Sequence, residues 1–574
     1  MTPPAAAVIS VHATLDLLDG QFADFAKGIS EGRYALWLGS GISLQRVPGL
    51  WGVVEKVIEF IRARIDHADP DCKFAKALQD VLLLANASAD ERTATDASQP
   101  VNSWPFREAI VGRLVNNYAR LLAITIPDEE FDFLVWEAVD VRNTYGDPAL
   151  QPDVEHLCIA ALSLEGAVSE MASANWDCLI ERATAEMTNG IEALQPTVVA
   201  RPADLQLQRN RARLIKFHGC AVKAAQDPAS FRPWLVARAD QVNGWCGKAE
   251  NAPLVTALRG LLNAKPTLML GLSAQDGNIQ HIFQQAANDL AWEIGTPPPS
   301  YVFSENELGF DQQSLLRNVY SNQLTPANTA AVFNAARVQA YAKPLLTALL
   351  LDVLCRKLQA LIAIAPGPLT EAERQPLKAG VKALRDVLAT AAEPSVDFVN
   401  ALLNRIGRAT KLLRVGQIED PAVRYQAVSA DPVSGLQANP DLAASGLQEA
   451  AVALGLIGVG LQRGDWTVDA EGMADDSGSL AVTGSMPGTS RTKVFVTANP
   501  YSATMLRAGA HVVDDQTPIL IQSKELMLPM TRSPRAPAGR TLIPAAREVG
   551  ILALLRSAAS FEDLYEKFRK ELAL

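Results

Sequence analysis

The run YALWLGSGIS, residues 34–43, decides the fold. Tyr34–Leu38 is a continuous apolar stretch of strand length, and Gly39-Ser40-Gly41 ends it in a sharp turn. A short apolar strand closing in a polar or glycine-bearing turn then recurs three times: MASANWD at 171–177, LIKFHG at 214–219 and TLMLGLSAQD at 267–276. Helical periodicity falls between them, over Leu15–Ile29, Trp51–Ile65, Phe106–Ile124, Asp128–Val141, Asp153–Glu170, Leu254–Asn263 and Gly277–Trp292. Tyr301–Phe303 is a last short strand. Strands alternating with helices predict a Rossmann-like, mostly parallel α/β sheet with helices on both faces. In such sheets ligands bind beyond the carboxyl ends of the strands. Four of these ends carry Gly, Asn, His or Gly.

Further out the pattern loosens. Asn86–Ser103 is polar and rich in small residues, a surface loop or lid. Thr325–Leu413 is helical throughout, broken at Pro366–Pro368. Ala427–Asn439 is turn-rich, and Leu442–Gly460 is an apolar helix of small residues. Ala470–Ser490 is a loop or hairpin. Thr492–Thr497 and Pro518–Gln522 are strands, with a helix at Tyr501–Ala508 between them. Arg532–Arg540 is a loop and Ala546–Leu574 is helical. Asn499-Pro500 lacks a glycine-rich phosphate loop. Arg532, Arg535 and Arg540 form a solvated loop, or make a nucleic-acid or partner contact. No long-period repeat is present.

Composition narrows the classes. The 574 residues are 48% apolar and 20% charged, which excludes a disordered chain and implies two to four domains. A net charge of −11 argues against direct nucleic-acid binding by bulk electrostatics. No apolar run approaches the roughly 20 residues a bilayer span needs, and the N-terminus has no basic flank of a signal peptide. The six cysteines never stand at Cys-x-x-Cys spacing, as for reduced thiols in a cytoplasmic protein.

Each turn has its own chemistry. Glycines 39 and 41 let backbone approach a phosphate, or simply turn the chain. Asn175 and Asp177, two apart, face one side of an extended segment; an amide and a carboxylate suit ribose hydroxyls or a water. Asp177 serves equally as a helix cap. Histidine is the side chain whose unperturbed pKa lies near neutrality, so a residue of this type at 218 can take a proton from a hydroxyl or water, or His218 is a hydrogen-bonded, partly buried histidine. Ser273 and Asp276 offer a polar rim, with capping again open to Asp276.

In order, GSGIS, SANWD, FHG and GLSAQD resemble the sirtuin pattern, and most closely the sirtuin-like domains of bacterial antiviral defence proteins that consume NAD+. The resemblance covers about residues 10–305. It implies Asn175 and His218 as the catalytic pair. Asp177 would hold the nicotinamide ribose, and Gly39, Ser40, Gly41 and Ser43 the phosphates. Gly271, Ser273 and Asp276 would face the adenosine. NAD+ would be substrate, cleaved to nicotinamide and ADP-ribose. Deacylating sirtuins carry two cysteine pairs for zinc between the His-Gly and Gly-Thr-Ser motifs. Here that interval holds Cys220 and Cys246, so no zinc ribbon and no metal are expected. Their Phe-Arg segment is replaced by Val47–Trp51, which weighs against the alternative of an NAD-dependent deacylase. A non-catalytic NAD or ADP-ribose-binding module is the other alternative. The implied organisation is a catalytic domain at 1–305, a helical region at 306–425 and an α/β or α+β partner or sensor domain at 426–574. An Argonaute-like, helicase-like or nucleotide-processing partner, and a homo- or hetero-oligomer, follow from the same resemblance.

Overall fold

The computed structural model describes residues 4–415, 425–439, 442, 445–469, 479–486, 488–489, 491–498, 519–522 and 547–574. Its first sheet has seven parallel strands: β1 (Ala35–Leu38), β2 (Glu170–Ser173), β3 (Thr197–Val199), β4 (Arg213–Lys216), β5 (Thr267–Leu270), β6 (Tyr301–Ser304) and β7 (Arg337–Val338). Their spatial order is β3-β4-β2-β1-β5-β6-β7, so the direction of winding reverses at β1. β1, β2, β5 and β6 are buried at every residue. That is why they read as mainly apolar: a parallel sheet has helices on both faces.

The two faces separate with the period of two that a strand dictates. Leu36, Leu38, Met171, Leu214, Leu268 and Val302 enter one core with the helices Val11–Asp19, Ala23–Ser30, Val154–Leu164 and Ala342–Ala363. Trp37, Ala172, Ile215, Met269 and Phe303 enter the other, under Ala252–Ala264, Gly277–Asp289 and Phe310–Val319. A third core lies in the long insertion between β1 and β2. There Val54, Val57, Val81, Trp104, Val111 and Leu134 pack on one another and on Ala221, Ala224 and Leu235.

Local sequence explains several departures from periodicity. Leu15–Ile29 forms two helices, Val11–Asp19 and Ala23–Ser30, because Gly20 leaves the helical region at φ −106°, ψ −107°. Asn86–Ser103 is not wholly loop: Ser88 and Glu91 make a reciprocal capping box that starts the helix Ala89–Ala94. Phe106–Ile124 breaks at Asn116-Asn117 into Arg107–Val115 and Tyr118–Leu121. Asp128–Val141 forms only a turn of wide helix at Leu134–Ala138. Helix Val154–Leu164 stops before β2, which takes the end of Asp153–Glu170. Thr325–Leu413 is interrupted by β7, which pairs with β6 and carries the sheet past residue 305.

A second sheet follows: β8 (Trp466–Asp469), β9 (Leu480–Gly484), β10 (Thr492–Thr497), β11 (Ile519–Gln522) and β12 (Arg547–Gly550), in the order β12-β11-β10-β9-β8. β8, β9 and β10 are antiparallel; β10, β11 and β12 are parallel. β12 occupies the start of Ala546–Leu574, and the helices Ile551–Ser557 and Phe561–Leu572 complete it. The apolar helix near Leu442–Gly460 runs from Leu447 to Arg463. Most of Ala470–Ser490, Asn499-Pro500, Tyr501–Ala508 and Arg532–Arg540 lie outside the described residues.

Candidate functional site

The neighbours β4, β2, β1 and β5 end on the same edge of the sheet, so the turns after them stand side by side. The turns after β1 and β5 meet backbone to backbone. A Cβ on Gly41 would lie 2.5 Å from Gly271 Cα, and one on Gly39 would lie 2.3 Å from Gly271 O. Gly271 itself has φ +60°, a conformation side chains rarely adopt. Gly39 N–H donates to Leu270 O and Gly41 N–H to Gly271 O, both at 3.0 Å. These glycines therefore serve first to join two strand ends, and those two N–H groups already have partners. Ser40 is exposed at the turn, and Ser43 is buried behind it.

Asn175 links the turns after β1 and β2. Its Nδ2 donates to Gly39 O at 3.1 Å and to Ser43 Oγ at 3.3 Å, while its backbone N–H donates to Ser173 Oγ at 3.0 Å. Both amide protons thus have acceptors. The amide oxygen Oδ1 is buried and has no hydrogen-bond partner among the described residues. Such an atom is costly to leave unpaired, and it is the acceptor a bound hydroxyl or water would complete.

Behind Ser43 stands His156, which sequence reasoning missed. Its ring is wholly buried, with Nε2 3.1 Å from Ser43 Oγ and Nδ1 accepting the Asp153 N–H at 3.1 Å. Burial holds its pKa below the ordinary histidine value. The ring is then neutral, and with Nδ1 an acceptor its proton sits on Nε2, pointing at Ser43. A chain His156–Ser43–Asn175 thus fixes which way the amide faces. The one available signal was the Asp153-x-x-His156 spacing, where His156 takes the reciprocal place of a capping-box glutamate.

Asp177 is buried, and its Oδ1 accepts the Leu179 N–H at 3.2 Å ahead of the helix Leu179–Thr188. The local capping alternative is therefore realised at one of its oxygens. His218 and Asp276 join the turns after β4 and β5. His218 Nε2 stands 3.1 Å from Asp276 Oδ2, at ion-pair distance but outside hydrogen-bond alignment. Asp276 also caps the helix Gly277–Asp289, its Oδ1 accepting Asn278 N–H at 2.8 Å. Burial pushes the Asp276 carboxyl up, but His218 and the Asn278 donors outweigh it and hold it below the ordinary carboxylate range. Asp276 is thus beside His218, whatever else it faces. Ser273 is exposed, its Oγ 3.5 Å from Gln275 N. Half-buried Tyr118 reaches this pair from the inserted helices: burial, then the Asp276 charge, raises its hydroxyl pKa. Nothing near Tyr118 in the sequence marked it.

Below the Asn175 and His218 turns lies a second polar group. Lys216, the last residue of β4, is buried, with Nζ 3.1 Å from Glu181 Oε1 and 3.4 and 3.7 Å from the sulfurs of Cys178 and Cys220. It also donates to Asp177 O. Burial opposes the ammonium, but the two sulfurs and Glu181 outweigh it and keep Lys216 charged. Among the described residues, Cys178, Glu181 and Cys220 are the one set of three side chains of metal-binding type within reach of each other. The Lys216 ammonium already supplies the cation they surround.

Two cavities lie elsewhere. One of about 270 Å³ is lined by Pro233, Trp234, Val236, Gln241 and Trp245 beside the His218 turn. The other, about 290 Å³ and mainly apolar, lies between the C-terminal helices and the second sheet, lined by Leu354, Leu384, Leu402 and Val494 among others. Neither is lined by residues of the four turns. Among the described residues, no helix is long and apolar enough to cross a membrane.

Residues 169–324 match the family model of the SIR2-like domain. The match takes in the turns carrying Asn175, His218 and Gly271, and the structure adds β1 and its Gly39–Ser43 turn to the same edge. No curated protein matches the chain. The SIR2-like domain supports an NAD-related function.

Proposed function

With a SIR2-like domain as premise, we propose that the chain is an NAD+ hydrolase, releasing nicotinamide and leaving ADP-ribose. The observation that carries this reading is Asn175 Oδ1, a buried acceptor without a partner among the described residues, whose amide is held in one orientation by Gly39 O and Ser43. Hydrolysis breaks the bond between C1′ of the ribose and nicotinamide, and positive charge builds at C1′ as it stretches. Asn175 Oδ1 accepts a hydrogen bond from the incoming water and holds its lone pair toward C1′. His218 takes the proton, from the water or through a ribose hydroxyl, and ionised Asp276 beside it stabilises the imidazolium that forms. Asp177 adds negative charge on the ribose side. Ser40 at the first turn would meet the phosphates, and Gly271 and Ser273 the adenosine side.

The biological setting we assign is bacterial antiviral defence by NAD+ depletion. The support is the resemblance of the four motifs to NAD-consuming defence domains. Activation would come through the C-terminal region or a protein partner that binds it. The test follows nicotinamide release by the purified chain, and cellular NAD+ during phage challenge, for wild type and Asn175→Ala. The expected outcome is NAD+ loss in the wild type and a drop of at least about 100-fold in the variant. Full NAD+ loss with Asn175→Ala would overturn the reading, as would acyl-ADP-ribose as the main product with an acyl-lysine peptide.

A further inference from the structure

Cys178 and Cys220 stand directly after the turns that carry Asp177 and Gly219. Their sulfurs are 3.3 Å apart. Contacts that do not involve sulfur hold them there. Ala221 N–H donates to Trp176 O at 2.9 Å, and the Lys216 ammonium bonds Asp177 O and lies 3.4 Å from Trp176 O. A disulfide has S–S near 2.05 Å, so the sulfurs must close by roughly 1.2 Å. Cys178 is half-buried as a residue, whereas Cys220 is buried. The ammonium between them favours a thiolate, the reactive form. The hydrogen bond from Cys178, helped by Lys216, holds Cys220 down to about 6 against its burial, and the same bond with burial pushes Cys178 up. The remaining cysteines differ: Cys72, Cys158 and Cys355 are buried, and Cys246 faces Asn278 O at 3.6 Å.

We infer that Cys178 and Cys220 are an oxidative modification site, closing to a reversible disulfide on reaction with hydrogen peroxide. A thiolate of the pair attacks one peroxide oxygen. The O–O bond breaks, hydroxide leaves and takes up a proton as water, and the sulfur becomes a sulfenic acid. The second sulfur attacks it, the S–S bond forms, the S–O bond breaks and a second water leaves. Two thiols give up two electrons and two protons, and the peroxide becomes two waters. The cross-link ties the turn after β2 to the turn after β4. Its effect on turnover rests on the hydrolase reading above; its formation does not.

The test uses the reduced full-length chain, treated with hydrogen peroxide, alkylated with iodoacetamide, digested without reductant and analysed by mass. The expected result is a linked Cys178–Cys220 peptide pair in place of both alkylated peptides, lost again after dithiothreitol. Cys178→Ser abolishes the pair, and Cys246→Ser leaves it in place, with circular dichroism checking that each variant is folded. The inference is overturned if both cysteines still alkylate after peroxide has oxidised Cys246. It is equally overturned if Cys178 accumulates as a sulfinic acid without a link. The readout is a mass, so it stands apart from whether NAD+ is consumed.

Discussion

Asn175 has two donors and one acceptor in its amide, and the protein takes only the donors. That division makes Ser43 a positioning residue, since its Oγ receives Asn175 on one side and faces His156 on the other. Ser43→Ala removes the shared acceptor and leaves two buried N–H groups unpaired. The expected cost is about 1–3 kcal/mol of stability. Nicotinamide release should slow about tenfold, chiefly in kcat, because Asn175 loses its fixed orientation, not its oxygen. An unchanged kcat in a folded variant would remove Ser43 from the argument. One residue before His156, Glu155 is buried with Oε2 unpartnered among the described residues, and burial pushes its carboxyl up to about 7 from an ordinary 4.5. The sign follows directly. The folded state binds the proton more tightly than the unfolded one, so this group's penalty grows as pH rises from about 4.5 to 7 and is complete above that. Glu155→Gln keeps the shape without the charge. It should gain stability at pH 8, up to the order of 3 kcal/mol, and gain little at pH 4.5. Urea midpoints of both proteins across that range check it, and parallel pH profiles would refute it.

At the scale of elements, the contact between the turns after β1 and β5 is the tightest feature of the site. A Cβ on Gly41 would meet Gly271 Cα at 2.5 Å and Gly271 O at 2.9 Å, backbone that cannot swing aside. Gly41→Ala should therefore pry the two turns apart, costing about 1–3 kcal/mol and weakening nucleotide binding. Gly277→Ala is the matched control: no atom lies within 4 Å of its Cβ, and it opens the helix Gly277–Asp289. It should be neutral or stabilising by about 0.5 kcal/mol in the same denaturation experiment. Equal losses in both would mean that contact with Gly271 is not what the glycine provides. This contact also marks how far the sequence could be read. The central strands were legible because a buried parallel strand is mainly apolar, and the turns because their polar residues are adjacent in the chain. β3 and β7 were not, being edge strands of three and two residues without room for a pattern. Nor were His156 and Tyr118, which reach the site from an insertion far along the chain. Pairing between Gly39, Gly41 and Gly271 is likewise a long-range fact: each glycine alone looks like a phosphate turn.

The largest of the three cores runs from Val11 to Leu572, through helices of the first sheet into the second sheet. At its centre is the helix Ala342–Ala363, buried on nearly every side. Lys357 on that helix is fully buried, with Nζ 2.6 Å from Glu165 Oε2 and 2.6 Å from Ser429 O. Glu165 follows the helix Val154–Leu164, and its other oxygen accepts Tyr425 O–H at 2.5 Å and Val428 N–H at 3.0 Å. One ion pair thus ties the helix ahead of β2, the C-terminal helices and the segment 425–429. Glu165 also precedes β2, the strand whose following turn carries Asn175. Replacing both partners of a buried pair by apolar groups can be nearly neutral, but removing one leaves a stranded charge. Lys357→Met should therefore cost about 3–5 kcal/mol. Adding Glu165→Gln should return part of that loss, since the amide carries no charge and can still accept from Tyr425 and Val428. The double-mutant cycle in urea measures the coupling. Coupling near zero would mean the pair is relaxed by water and the tie between regions is apolar contact alone. Strong coupling, with a single transition lost at once by sheet and C-terminal probes, would mean that the proposed site and the region proposed to sense a partner unfold as one unit.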